Sequence, residues 1–248
     1  MTANTTMLAR SLREVIFSLL RGRQKASHDG QRYLQAFHDV GARSTFFIVV
    51  TLGFVGAIMM LHGGYQASRI IGDSTLVGPQ IMPLIIRQLG PTLTGLMIAT
   101  RVGTGLAARI GSMVVTEQVD ALRLCNASPV DYLIRPNWIA SIAMVPLLTI
   151  VGTAAAFLSG MLTASLIFHT SPSVYADLGF VTGLDALEAL LKAVAYGVVI
   201  PIIAGGCGLA TYGGSAGVGR ATTQAVVLCS LAVIVLDFCI GAAILVMR

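Results

Sequence analysis

Arg87, Arg101, Lys192 and Asp237 stand out because each interrupts or borders a stretch of apolar residues. A charge in hydrocarbon is costly, so such side chains either pair with one another or meet a polar ligand. For Arg87, Lys192 and Asp237 two readings follow. One is a pair of snorkelling cations with a helix–helix salt bridge at Asp237; the other is a polar lining that receives an anionic headgroup in an apolar cavity. Arg101 lies nearer the end of its apolar stretch and reads as an interface anchor. Spacing alone assembles no nucleophile, base and orienting group. The phosphate-cradling pattern Gly-x-x-x-x-Gly-Lys-Ser/Thr is absent from the sequence; Gly213 to Arg220 lacks its lysine and reads as a tight turn before a helix starting near Ala221. His28, His38, His62 and His169 are scattered, and Cys125, Cys207, Cys229 and Cys239 have no metal-ligand spacing, so no metal site is expected.

A second group of residues suits contact with another protein. Thr116 to Leu124 is rich in helix formers and is closed by Asn126, a residue that caps helix C-termini. Val119, Leu122 and Leu124 offer an apolar contact, and Glu117, Asp120 and Arg123 face polar surroundings, as in a short helix seated in a partner's groove; a solvated connector is the plainer alternative. Ser128-Pro129-Val130-Asp131 reads as the start of a second short helix, with Ser as cap and Pro in the first turn. Two stripes of small residues recur every four positions. Gly95, Ala99, Gly103, Ala107 and Gly111 form one, and Gly152, Ala156, Gly160 and Ala164 the other. Such ridges let helix backbones approach closely where lipid supplies no hydrophobic drive.

The elements that must position these residues are membrane helices. Of 248 residues 55% are hydrophobic and 11% charged, less than half the charged fraction of an average soluble domain, about 25%. Apolar runs lie at about 45–61, 80–111, 138–168, 184–212 and 222–247, which gives five spans, the second long and bent or tilted at Pro91. His62 to Gly78 reads as a polar excursion. Ahead of the spans, Leu8, Leu12, Val15 and Leu19 recur at helical spacing, with Arg10, Arg13, Arg21, Arg23 and Lys25 on the polar side. This predicts an interfacial amphipathic helix on anionic lipid, or a soluble helix packed on a partner. Seven of the sixteen Lys and Arg residues precede Thr45. With the basic residues between Arg101 and Arg135, they put the N-terminus in the cytoplasm and, after five spans, the C-terminus outside. Residues 1–44 form the cytoplasmic or interfacial segment and 45–248 the membrane domain, with a cytoplasmic helix at about 115–126. The net charge of +5 comes with only 6% aromatic residues; a nucleic-acid partner is not expected.

At Glu117-Gln118-Val119-Asp120-Ala121-Leu122 the sequence resembles the signature of the MlaE/YrbE permeases. The likeness continues in order through Gln88-Leu89-Gly90-Pro91, Ala99-Thr100-Arg101-Val102-Gly103, Pro129 with Tyr132-Leu133, and Gly217 to Thr223 onward to Leu236-Asp237-Phe238. It spans roughly 53–238. The resemblance implies an all-α permease: an N-terminal interfacial helix, five membrane helices, and a coupling helix between the second and third. It further implies a homodimer in the bacterial inner membrane that works with a cytoplasmic ABC ATPase and a periplasmic Mce-domain hexamer. ATP and Mg would belong to the ATPase, with no cofactor in this chain, and the cargo would be phospholipid or a related lipid. Glu117, Gln118, Asp120, Ala121 and Leu122 would then couple to the ATPase, and Arg87, Gln88, Lys192 and Asp237 would lie near the headgroup path or form a supporting charge network. One departure is Gln88, where a common family form has glutamate beside the arginine, so Arg87 pairs elsewhere or stays free for an anion. Rival readings are an ion- or proton-coupled secondary transporter using Lys192 and Asp237, and a structural membrane anchor.

Overall fold

A computed structural model describes residues 2–20, 30–70, 77–176, 179 and 181–247. The expectations placed on Arg21, Arg23, Lys25 and His28 lie outside these residues. All regular structure among the described residues is helical: α1 (Thr2–Leu20), α2 (Gly30–Arg69), α3 (Gly78–Val115), α4 (Gln118–Leu124), α5 (Val130–Ile167), α6 (Pro172–Tyr175), α7 (Gly183–Leu209) and α8 (Gly214–Met247). Five of these, α2, α3, α5, α7 and α8, are long and apolar enough to cross a bilayer.

The helices outrun the apolar stretches that predicted them. The 40 residues of α2 extend about 60 Å at 1.5 Å per residue, twice a hydrocarbon core of about 30 Å. The expected polar excursion from His62 is therefore corrected: α-helix continues to Ile70 across Gly63 and Gly64, with no proline to stop it and with Gln66, Ala67 and Arg69 as good helix formers. α3 is likewise continuous through Pro91. Ser128 does accept a hydrogen bond from the Asp131 N–H at 3.4 Å, but the helix it caps is α5 itself, not a separate short one. The last helix starts at Gly214 rather than near Ala221. In this stretch only Gly213 (φ 83°) and Gly214 (φ 69°) adopt the left-handed backbone that turns the chain, while Gly217 and Gly219 are already helical.

Three helices contain π turns, at His38–Ala42, Ile85–Leu89, Ala99–Gly103 and Val130–Ile134. Two of them end two residues before a proline, Pro91 and Pro136. Proline has no N–H and crowds the carbonyl four residues back; a wider turn just upstream relieves both, with the Gly90 N–H bonding Ile85 O and the Arg135 N–H bonding Val130 O, five residues back in each case.

The chain forms two compact units. Unit 1 comprises Met1–Ser44, Gly95–Val145 and Val194–Leu236, and unit 2 comprises Thr45–Thr94, Pro146–Ala193 and Asp237–Arg248. In unit 1 the first small-residue stripe is a packing surface. A Cβ on Gly95 would lie 2.7 Å from the Tyr196 ring, one on Gly103 would meet Cys229 Sγ at 3.5 Å, and one on Gly111 would lie 2.8 Å from Thr211 Oγ1. Ala107 sits with Cys207 and Ala225. A four-residue repeat drifts forward around a helix of 3.6 residues per turn; the looser π turn at Ala99–Gly103 sits in mid-stripe and offsets that drift. α1 joins this unit through the predicted stripe: Val15 is fully buried, Leu12 lies over Gly206 and Leu8 packs on the Ala107 cluster. The face left exposed carries Met7, Ile16 and Phe17 with Arg10 and Arg13.

In unit 2 the second stripe packs α5 on α2. Gly152 faces Ile48 and Leu52, Gly160 faces the Tyr175 hydroxyl, and Gly56 touches the backbone of Ala156. Ala164, Met60 and Tyr175 form a buried cluster, and the Ser159 hydroxyl donates to Gly53 O across the two helices. Burial pushes the Tyr175 phenol above its usual range. Because Gly56 leaves no room for a side chain, Gly56→Leu should lower stability by about 1–3 kcal/mol. Gly53→Ala, whose Cβ meets nothing within 4 Å, should leave it unchanged; thermal melting of the detergent-solubilised protein reads both.

Candidate functional site

The π turn at Ile85–Leu89 presents Arg87 and Gln88 in unit 2, where α7 contributes Asp185, Glu188 and Lys192, and α8 contributes Asp237. Lys192 is completely buried. An ammonium has three protons to place, and here three side-chain oxygens each lie at 2.9 Å from Nζ: Glu188 Oε1, Asp237 Oδ1 and Gln88 Oε1. Arg87 O is a fourth neighbour at 3.4 Å. That carbonyl would ordinarily accept the N–H of residue 91, which is proline, so the break in the helix ladder supplies an acceptor to the buried cation.

Gln88 occupies a place that a carboxylate cannot fill in the same way. Its amide oxygen accepts from Lys192 while its amide nitrogen donates to Asp237 Oδ2, so one side chain bridges a cation and an anion. Thr92, one turn further along α3, donates its hydroxyl to Asp237 Oδ1 at 2.9 Å. Arg87, which the departure at Gln88 left without a neighbouring acid, finds two on α7: Nη1 lies 4.0 Å from Asp185 Oδ1 and Nε 3.9 Å from Glu188 Oε2. Asp185 also closes the first turn of α7, accepting from the Thr182 N–H at 2.9 Å, the carboxylate half of a capping box, while its own N–H bonds the Thr182 backbone carbonyl. Arg87 keeps 37% of its side chain exposed and, with Gln88, Glu188, Gly241, Ile244 and Leu245, lines a cavity of about 160 Å³.

The sequence reading thus named four members of one constellation, Arg87, Gln88, Lys192 and Asp237, and missed Asp185, Glu188 and Thr92. The signal was present: Asp185, Glu188 and Lys192 are three and four apart, one stripe of α7. Arg101 stands elsewhere, in unit 1, donating to the buried Ser44 hydroxyl at 2.7 Å. Among the described residues no group of three His, Cys, Asp or Glu side chains is placed to hold a metal ion.

The second predicted group, in unit 1, folds as a short helix with sharply defined ends. Two expectations are corrected. Glu117 is not within the helix but ahead of it, in the left-handed conformation (φ 58°), which costs a residue with a Cβ about 1–2 kcal/mol and sets the corner between α3 and α4. Val119 is not a free contact, being 3% exposed; it anchors α4 to its own unit. The predicted cap at Asn126 is found, with φ 57°. The Ala127 N–H bonds Leu122 O and the Asn126 N–H bonds Arg123 O, the paired bonds of a Schellman ending. Glu117, Gln118, Asp120 and Ala121 remain exposed, Leu122 is half-buried, and Leu124 is 90% exposed.

Five spans of this length and composition, packed through small-residue ridges, define a multi-pass membrane protein. The family model for Permease MlaE matches residues 33–243: the chain belongs to the MlaE permease family. It is similar to a probable ABC transporter permease protein of Synechocystis, with 34% identity over 91% of this chain and 84% of that one. A probable ABC transporter permease protein of Rickettsia bellii shares 36% identity over 81% and 78%. The chloroplast protein TRIGALACTOSYLDIACYLGLYCEROL 1 of Arabidopsis thaliana shares 29% over 92% of this chain and 65% of its own length. The chain is therefore a transporter permease subunit of the ABC type.

Replacing Gln88 by glutamate would set a carboxylate against Asp237 and remove a donor. Gln88→Glu should destabilise the protein by about 1–3 kcal/mol, and adding Asp237→Asn should return part of the loss, because asparagine can donate where aspartate cannot. A Gln88→Glu protein that melts at or above the wild-type temperature would contradict the bridging role.

Proposed function

We propose that the chain is the membrane subunit of a lipid-moving ABC system, a homodimer in the bacterial inner membrane with its N-terminus cytoplasmic and its C-terminus periplasmic. A separate cytoplasmic ATPase binds ATP and Mg, and an Mce-domain hexamer exchanges phospholipid or a related lipid with the permease. The observation that carries this reading is α4: a capped helix, anchored at Val119, that holds Glu117, Gln118, Asp120 and Ala121 out from the fold beside the exposed Leu124. A helix closed at its C-terminus by a Schellman ending and with its outer face exposed suits a groove in another protein. Resemblance of the Glu117 to Leu122 motif to the family signature supports the ATPase as that protein. Support for a lipid cargo comes from the MlaE family itself and from the Arabidopsis relative, which carries the name of a glycerolipid.

In this reading nucleotide-driven movement of the ATPase displaces α4. The Glu117 corner is bonded back to α3, with the Thr116 N–H on Ser112 O and the Glu117 N–H on Val114 O, so α4 and α3 move together. α3 carries Arg87 and Gln88, and its displacement alters the polar lining offered to a headgroup. Residues 45–248 form the permease domain and 1–44 its cytoplasmic, interfacial entry.

Co-purification tests the reading. The tagged wild-type chain, expressed with its candidate cytoplasmic ATPase and Mce partner, should retain the ATPase and bring down phospholipid identifiable by mass spectrometry. Glu117→Lys with Asp120→Lys should give a folded chain that has lost the ATPase. An ATPase that stays on the folded double variant removes α4 from the coupling role, and uptake driven by a pH gradient without any ATPase would favour secondary transport through the Lys192 network.

A further inference from the structure

Unit 1 contains a second concentration of charge that neither the coupling helix nor the Lys192 network uses. A cleft of about 290 Å³ is lined by Arg43, Arg101, Arg109, Asp39 and Asn137, with Val40, Val102, Gly105 and Leu106 as its apolar wall. Three guanidinium groups therefore face one carboxylate. Asp39 is shared, with Arg43 Nη1 at 3.3 Å and Arg109 Nη1 at 3.8 Å. The remaining contacts are to neutral groups: Arg101 donates to Ser44 Oγ at 2.7 Å, and Arg109 donates to Asn137 Oδ1 at 3.3 Å. Asn137 is itself buried and fixed by donating to Leu133 O at 2.9 Å. The cluster thus holds more positive charge than its own acid answers, on half-exposed arginines set beside the buried Ser44 and Asn137.

Its place along the chain says what would meet it. Ser44 and Asn137 each sit one residue before a long apolar run, starting at Thr45 and Trp138, and Arg109 lies near the end of the apolar run of α3 that leads to α4, with Arg101 about two turns deeper. Three helices thus turn from apolar to polar at the same cleft, the level at which a bilayer changes from acyl chain to headgroup. Guanidinium forks match phosphate oxygens in pairs, and an anion on a low-dielectric wall gains more from them than one in water.

We infer that this cleft is a phosphate-binding site that takes the headgroup phosphate of an anionic phospholipid on the side of the membrane that carries α4, with free phosphate as the other source of the same chemistry. The site is separate from the Lys192 network and does not depend on which cargo the permease moves. Occupancy would tie α2, α3 and α5 together through one ligand, so it should register as stability.

Thermal melting of the detergent-solubilised full chain, titrated with phosphatidylglycerol, with diacylglycerol and with inorganic phosphate, tests it. The expected result is a melting temperature raised by several degrees with phosphatidylglycerol and unmoved by diacylglycerol, as for a ligand that binds only the folded state. A rise with inorganic phosphate as well would assign a site open to soluble anions, within the same inference. Arg43→Gln with Arg109→Gln should weaken the phosphatidylglycerol dependence about tenfold or more. Asp39→Asn removes the competing carboxylate and should strengthen it, a gain that misfolding does not produce. The inference is overturned if diacylglycerol stabilises as much as phosphatidylglycerol, if no phosphate-bearing ligand stabilises, or if the double arginine variant and Asp39→Asn both respond like wild type.

Discussion

Hydrocarbon offers no partner to a charge, so every ionised group that the membrane helices carry inward must be answered by the protein itself. Lys192 is where that constraint is most severe. Its ammonium has no exposure, and the elements around it are arranged to supply oxygens: Glu188 one helical turn earlier, Asp237 from α8, and Gln88 together with the Arg87 carbonyl from α3. The last of these is available because Pro91 cannot bond it. A helix defect and a buried cation, each unfavourable alone, satisfy one another.

The same reasoning explains why Gln88 and Arg87 are read together. A glutamate at position 88 would pair with Arg87 locally but would stand against Asp237. With an amide there, Arg87 turns to Asp185 and Glu188, and the amide bridges Lys192 and Asp237. The result is a network of two cations and three carboxylates reaching from the first turn of α7 to the last third of α8. It is buried except at Arg87, which opens on the adjoining cavity. Buried ion pairs are weak evidence for net stability, but removing one partner is strongly destabilising because it strands the others.

The fold was largely legible because membrane helices announce themselves by composition. Five apolar runs became five helices, both small-residue stripes became packing ridges, and the Asn126 cap was found where a left-handed residue was needed. What could not be read was where helix continues after hydrophobicity stops, as at His62–Ile70, since a short polar extension of an apolar helix leaves no periodic signal. The π turns were equally hidden, although two of them stand in fixed relation to Pro91 and Pro136. At the charge network, intramembrane cost identified Arg87, Lys192 and Asp237, and family resemblance added Gln88. Asp185 escaped because an acidic residue in the first turn of a helix is unremarkable, and Glu188 because its spacing to Lys192 was not followed. Glu117 was placed inside the helix instead of just ahead of it because its neighbours favour helix strongly and only the three-dimensional corner demands the left-handed state.

The claim on which this account rests is that Lys192 and its acidic partners act as one energetic unit, and a double-mutant cycle in thermal stability measures that directly. Lys192→Met should cost about 3–5 kcal/mol by stranding Glu188 and Asp237. Asp237→Asn should cost less, and the double variant should lose clearly less than the sum, because a thioether facing a neutral amide leaves no opposed charge unanswered between those two positions. Strictly additive losses, or a Lys192→Met protein as stable as wild type, would show that the network is a bystander to the fold and contradict the account.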